Sequence, residues 1–305
     1  MTPPLDAILR AHDERPDAVL AIVGPTASGK TELAIRAAER LGGELVSADS
    51  VQVYRGFDVG SGKPSAAERA RAAHHLVDVL DPLDPIDASR YAALAREAAE
   101  GILARGKVPI VCGGTFLWTK ALFFGLAGAP PADETIRARH REIVSAHGAG
   151  ALHAELARVD PRMAARLHPN DAVRTGRALE VHELSGRLMS AWQDEHAFAL
   201  AWRAPAFFAV RHPPDTLTER IQVRARAWLD AGWIEEVEGL LARGQGAARA
   251  MESVGYREVR AFLAGALPRE ELLGRIVQST RIFARRQRTW LNRVDVTWLG
   301  AAATC

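Results

Sequence analysis

Short apolar runs alternate with helical periodicities through the first 125 residues of the chain. Ala18 to Val23 is an unbroken apolar run, and after it Leu33, Ala34, Ala37, Ala38 and Leu41 recur at helical spacing. Strand-like segments follow at Glu44 to Ser47, His75 to Leu80 and Val108 to Cys112. Between the last two, Ala88 to Ala104 predicts a helix with Asp87 as N-cap and Tyr91, Leu94, Ala95, Ala98 and Ile102 as its apolar stripe. From Gly125 the pattern is almost wholly helical to about Trp192, with breaks at Gly148, Pro161 and Pro169. A strand is predicted at Phe207 to Arg211, and helices around Leu217 to Leu229, Ile234 to Leu241, Tyr256 to Leu263 and Glu270 to Leu291. A last strand is predicted at Val294 to Leu299. This order predicts an α/β fold: a parallel sheet flanked by helices, interrupted by an α-helical insertion. The boundaries read as 1–124 for the first part of the core, 125–200 for the insertion and 201–305 for completion of the core, with the proline-bearing Ala201 to Pro214 as connector.

Composition narrows the class. At 305 residues and 48% hydrophobic content the chain can bury a large core. No run approaches the roughly 20 apolar residues of a membrane span, and the first residues carry acids and prolines where a secretory leader would be apolar, so a cytoplasmic protein without a membrane partner is expected. Cys112 and Cys305 lack metal-binding spacing and read as reduced, structural thiols. Net charge is only +2, but it runs from −5 over residues 1–100 to +6 over 203–293. Of the 39 basic residues 35 are Arg, whose planar fork suits phosphate oxygens, although a GC-rich genome produces the same bias.

The candidate chemistry begins directly after the first strand. Gly24, Pro25, Thr26, Ala27, Ser28, Gly29, Lys30 and Thr31 form a complete G-x-x-x-x-G-K-[ST] phosphate loop in the required strand, loop, helix order. Its backbone N–H groups would wrap an anion, Lys30 would add a positive charge and the Thr31 hydroxyl would hold Mg²⁺. The fold expectation sharpens to a P-loop NTPase-like sheet, in which ligands gather at the carboxyl ends of the strands. Two further polar clusters fall at such ends, Ser47-Ala48-Asp49-Ser50 and Gly113-Gly114-Thr115, and all three should converge on one cleft. Asp49, expected to end a strand adjacent to the phosphate strand, suits a metal ligand, a proton acceptor or a helix cap. Thr115 suits a cleft-facing hydroxyl or an N-cap. Arg281, Arg285 and Arg288 share one helix face, which reads either as solvated or as a phosphate track. The loop alone leaves open an ATP-dependent small-molecule kinase and an RNA-binding protein switched by a nucleotide.

Taken together, the segments resemble the tRNA dimethylallyltransferases, the P-loop type isopentenyl transferases. The resemblance is carried by the phosphate loop, by Ser47 to Gly60 with Lys63-Pro64, and by His74 to Asp78. It continues through Val111 to Thr115, His168 to Asp171 with Arg174 and Arg177-Ala-Leu-Glu-Val, Val254 to Arg257, and Ala284 to Leu291. It implies that N6 of adenosine 37, next to the anticodon, attacks C1 of dimethylallyl diphosphate and expels diphosphate, so that the loop holds a prenyl diphosphate and not ATP. Asp49 matches the family's general base, Thr115 a residue contacting the substrate base, and Arg224 a diphosphate clamp beside Lys30 and Mg²⁺. The same correspondence implies tRNA contacts from Asp49, Ser50, Val51, Gln52, Thr115, Arg137, Val173, Arg174, Thr175, Gly176, Arg177, Glu252, Ser253, Val254, Gly255, Tyr256 and Arg257. The helical insertion would grip the anticodon stem-loop, and the protein would act as a monomer.

Several positions depart from the family pattern. Phe116-Leu117-Trp118 replaces a smaller residue followed by Leu-Tyr, Ser61-Gly62 stands where Thr and a small residue are common, and Thr175-Gly176 replaces an apolar-polar pair. The bulk of Phe116 and Trp118 would reshape the prenyl pocket or base channel. A related class, prenyl transfer to free adenine nucleotides, shares the loop but not the long helical insertion.

Overall fold

The computed structural model describes residues 3–196, 201–292 and 294–300, so Cys305 lies outside the described residues. In chain order the elements are α1 (Pro4–Glu14), β1 (Val19–Val23), α2 (Lys30–Leu41), β2 (Glu44–Ala48), α3 (Ala66–Arg71), β3 (His74–His75), α4 (Ala88–Ala104) and β4 (Pro109–Gly113). They continue with α5 (Phe116–Phe124), α6 (Glu134–His147), α7 (Ala149–Val159), α8 (Pro161–Ala164), α9 (Ala172–Ser185) and α10 (Met189–His196). The last are β5 (Pro205–Arg211), α11 (Pro214–Asp230), α12 (Trp233–Ala242), α13 (Tyr256–Leu263), α14 (Arg269–Leu291) and β6 (Thr297–Gly300). Two compact units emerge, Met1–Phe123 with Ala201–Cys305, and Phe124–Leu200.

In the first unit six strands form one sheet in the order β3-β2-β4-β1-β5-β6, all pairs parallel. Every residue of β1, β2 and β4 is buried, as strands covered on both faces must be. The late strands β5 and β6 join this sheet beside β1. One expectation is corrected: β4 separates β2 from β1, so Asp49 follows a strand one removed from the phosphate strand. The register sets Gly113 opposite both Val23 and Ala48, which aligns the carboxyl ends of β1, β4 and β2. Leu5 and Ile8 of α1 and Leu33, Ala34, Ile35, Ala37 and Ala38 of α2 pack with alternate strand residues into one core cluster.

The predicted strand at His75 to Leu80 is also corrected, because β3 ends at His75. Leu76 and Asp78 both have φ of 60°, a left-handed conformation that a strand cannot contain. The chain there turns toward the segment after β2, with Asp78 N–H donating to Gln52 O (3.1 Å) and Leu80 N–H to Val53 O (3.0 Å). Asp78 ion-pairs with Lys63 and with Arg69. Helix α4 spans the predicted residues, and the Asp87 side chain caps it by accepting from Arg90 N–H.

The second unit is helical. Leu152, Leu156, Met163, Ala164, Leu167, Ala178 and Leu179 form its core, with α7 against α6 and α9. Buried Asp160 ties two helix starts together, accepting from Met163 N–H (3.0 Å) and Ser190 N–H (2.9 Å).

Candidate active site

The phosphate loop leaves β1 and enters α2 through Ala27 at φ 63° and Gly29 at φ 83°. Successive left-handed and right-handed residues turn backbone N–H groups inward into an anion-binding concavity. The first bond of this turn runs from Leu33 N–H to Gly29 O, so the preceding N–H groups at the helix start lack an acceptor within the helix. A Cβ at Gly24 would come within 2.9 Å of Ser28 Oγ, and that buried hydroxyl has no hydrogen-bond partner among the described residues. The loop carbonyls are held from outside: Arg220 Nε donates to Ala27 O (2.8 Å), and the His212 ring lies 2.9 Å from Ser28 O. From α14, Gln287 accepts from Thr26 N–H (2.9 Å) and donates to Gly114 O (2.9 Å).

Asp49 follows β2, and its Oδ1 accepts from Val51 N–H (2.9 Å) and Gln52 N–H (3.3 Å). The second oxygen has no hydrogen-bond partner among the described residues. Thr115 is joined to the same turn, its N–H donating to Ala48 O (3.1 Å) and its Oγ1 accepting from Ser50 N–H (3.2 Å). Its hydroxyl therefore faces the Asp49 turn, while its carbonyl starts α5. Asp49 lies within electrostatic reach of Lys30 and Arg224. The three clusters read from the sequence thus lie together at the carboxyl ends of β1, β4 and β2.

Two cations stand at this end of the sheet. Burial lowers the Lys30 pKa, an effect opposed by Cys112 and Asp49 and reinforced by Arg224. Burial likewise pulls Arg224 down to about 10, with Asp49 opposing and Arg220 adding to the shift. Arg224 Nη2 donates to Thr26 Oγ1, which fixes the guanidinium at the loop. Two desolvated cations facing one carboxylate make a site that favours an anion. Burial first, then Asp49 among the nearby charges, raises the Cys112 thiol to about 11 despite Lys30 and a hydrogen bond from Thr31, so it stays protonated. No group of three or more carboxylate, imidazole or thiol side chains converges as a metal site among the described residues. The Thr31 hydroxyl would supply one oxygen ligand of the kind Mg²⁺ takes, with phosphate oxygens and water as the others.

The segments expected to touch tRNA divide by burial. Gly255 and Tyr256 are interior: a Cβ at Gly255 would overlap the Trp233 ring, and Tyr256 Oη donates to Glu236 Oε1 (2.6 Å). The exposed surface there comes from Glu252 and Arg257, with Ser253 and Val254 half-buried. Gln52 spends its side-chain amide on Ser61 O (3.1 Å) and Gly62 O (3.0 Å). In the helical unit Arg137 and Arg177 both bind the fully buried Glu180 carboxylate. Thr175 is buried, Gly176 packs near His140, Arg174 pairs with Asp171, and Val173 is 84% exposed. Phe116 and Trp118 are absorbed by stacking, on Trp290 and Tyr91 respectively, each at 4.4 Å. Sequence reasoning missed Gln287, Arg220 and His212 as supports of the loop. A glutamine inside an arginine-rich helical stretch is the available signal for the first.

The sequence model described as IPP transferase matches residues 52–294, and that described as Isopentenyl transferase matches residues 17–77. The tRNA dimethylallyltransferase of Sorangium cellulosum is 61% identical, the match covering 93% of this chain and 90% of that protein. That of Anaeromyxobacter dehalogenans is 47% identical, covering 92% of each. Among solved structures, the tRNA isopentenylpyrophosphate transferase of Bacillus halodurans superposes with a TM-score of 0.70 at 33% identity, over 95% of this chain and 91% of that one. A eukaryotic dimethylallyltransferase acting on tRNA gives a TM-score of 0.74 at 25% identity, over 94% and 74%. With a phosphate loop, an acidic turn and two half-buried cations at one end of the sheet, and with relatives matched nearly end to end, the chain belongs to the tRNA dimethylallyltransferase family of isopentenyl transferases.

Proposed function

We propose that this enzyme transfers a dimethylallyl group from dimethylallyl diphosphate to N6 of adenosine 37 in tRNA. The observation that carries this reading is the pair of half-buried cations, Lys30 and Arg224, set against a phosphate loop with a single carboxylate, Asp49, in electrostatic reach. The donor's diphosphate would lie in the loop, where backbone N–H groups, Lys30 and Arg224 stabilise the charge that grows as the C1–O bond breaks. The Thr31 hydroxyl would hold Mg²⁺, which when bound supplies further positive charge to those oxygens.

An adenine amino group is a weak nucleophile, and its proton must leave as the C–N bond forms. Asp49 is suited to take that proton, because two backbone N–H groups hold one of its oxygens and leave the other free to accept. The N6 lone pair makes the bond to C1, the C1–O electrons depart with diphosphate, and the N6 proton passes to Asp49. Thr115, joined to the same turn, would orient the base. The adenine must leave its stack to reach the cleft, so its extrusion from the anticodon loop is part of the reading. The exposed side chains of Glu252 and Arg257, and Arg137, Val173, Arg174 and Arg177 of the helical unit, would meet the anticodon stem-loop.

The test is nucleoside mass analysis of unmodified tRNA carrying adenosines at positions 36 to 38, after incubation with the protein, Mg²⁺ and dimethylallyl diphosphate. One dimethylallyl addition confined to adenosine 37 is expected. Bound but unaltered tRNA would overturn the reading, as would turnover of AMP without RNA.

A further inference from the structure

Arg224, like Arg220 and Arg226 of the same helix, forms no ion pair among the described residues. Its guanidinium instead lies over the ring of Trp228, 4.5 Å from the centroid, while Nη2 donates to Thr26 Oγ1 of the phosphate loop. Trp228 is itself fixed. Its ring covers Gly62, where the backbone has φ 62° and a Cβ would come within 2.5 Å of Cζ2. Trp233 meets it edge-on at 5.6 Å and 89°. The Gly62 carbonyl accepts from the Gln52 side chain (3.0 Å), and Gln52 N–H donates to Asp49 Oδ1 (3.3 Å). A continuous set of contacts therefore runs from the Asp49 turn through Gln52, Gly62 and Trp228 to Arg224 and the loop.

We propose that Trp228 is a positioning residue for the diphosphate step, holding Arg224 against the loop by its ring face, and that Gly62 is the residue that makes room for this ring. The choice of an aromatic partner has a physical reason. A carboxylate holding Arg224 would neutralise it and repel the diphosphate, whereas a ring face attracts a cation without adding net negative charge. Arg224 thus arrives aimed, with no carboxylate bonded to it.

The inference rests on reading Arg224 as a diphosphate clamp, so its test includes that residue. The measurement is calorimetric affinity of the full chain for inorganic pyrophosphate with Mg²⁺, alongside tRNA affinity and the KM for dimethylallyl diphosphate. Trp228→Leu should raise the pyrophosphate Kd and that KM by about tenfold, the scale of a desolvated cation–π contact, with tRNA affinity unchanged. Trp228→Phe, which keeps a ring face, should stay within about threefold of the native protein. In an Arg224→Gln background Trp228→Leu should add nothing. If Trp228→Leu does not fold, Gly62→Ala, which displaces the ring, should weaken pyrophosphate while Trp228→Phe retains it. Native pyrophosphate affinity in Trp228→Leu or Gly62→Ala, with Arg224→Gln weakened, would overturn the positioning role and leave the clamp standing. Native affinity in Arg224→Gln would remove the clamp and this inference with it.

Discussion

Lys30 is held in a state that water would not choose. It is half-buried, its charge is disfavoured by desolvation and by Arg224, and among the described residues its Nζ reaches only the Pro25 carbonyl, at 3.4 Å. A diphosphate would relieve this, so Lys30→Ala should raise the KM for dimethylallyl diphosphate at least tenfold, a loss of about 1.4 kcal/mol or more. Steady-state kinetics with parallel tRNA binding would check this, and the tRNA affinity should not change. Residues of this kind are legible in the sequence because their motif is contiguous: one loop of eight residues specifies both the backbone shape and the charge. Thr115 is less so, since its side chain goes to Ser50 N–H, 65 residues away in sequence, and not to its own helix. Gln287 and Arg220 are illegible, because their loop contacts span 261 and 193 residues and no local pattern encodes them.

At the level of elements, the parallel strands are readable as apolar runs because both faces of each are covered. Helix α1 is absent from the predicted elements, though Leu5, Ile8, Leu9 and His12 follow helical spacing and Leu5 and Ile8 are buried. Its prolines and acids mask the stripe, yet Pro4 sits at the first turn, where a missing N–H costs nothing. The predicted third strand fails through Leu76 and Asp78, whose left-handed backbones depend on contacts with Gln52, Lys63 and Arg69 that lie outside the segment. The start of β2 carries a separate electrostatic anchor. Glu44 is buried, which would raise its pKa, but Lys107 (2.7 Å), His75 (2.7 Å) and Arg105 (2.6 Å) hold it down at about 2. A carboxyl whose folded pKa lies below its ordinary value stabilises the fold above that value and loses the effect as pH falls toward the folded one. Glu44→Gln should therefore lower stability at pH 7 by about 1–2 kcal/mol, and urea unfolding should show the deficit shrinking between pH 4.5 and pH 2.

Across the whole molecule, charge is distributed by role. The acidic surplus of residues 1–100 and the basic surplus of 203–293 coexist in one chain of net charge +2. On α14, Arg281, Arg285, Arg286 and Arg288 have no ion pair among the described residues, while Gln287 between them is buried against the phosphate loop. Exposed arginines without acidic partners suit either solvent or a phosphate backbone, and salt dependence separates the two. Replacing Arg285 and Arg288 together by Gln should reduce the slope of log Kd for tRNA against log salt by about 1 to 2, because each phosphate contact releases a counterion. An unchanged slope would return this face to solvent. Among the described residues no helix is long and apolar enough to cross a membrane.

Central to the proposed chemistry is that Asp49 accepts the N6 proton in a cleft whose cations hold the departing diphosphate. The most direct measurement is the single-turnover rate of prenyl transfer in Asp49→Asn, with both substrates saturating. The substitution keeps an oxygen able to accept from Val51 and Gln52 N–H, so tRNA affinity should stay native and pyrophosphate affinity should not weaken while the rate falls about 10²- to 10⁴-fold. A rate within a few-fold of the native enzyme would contradict this role and move the proton to another acceptor.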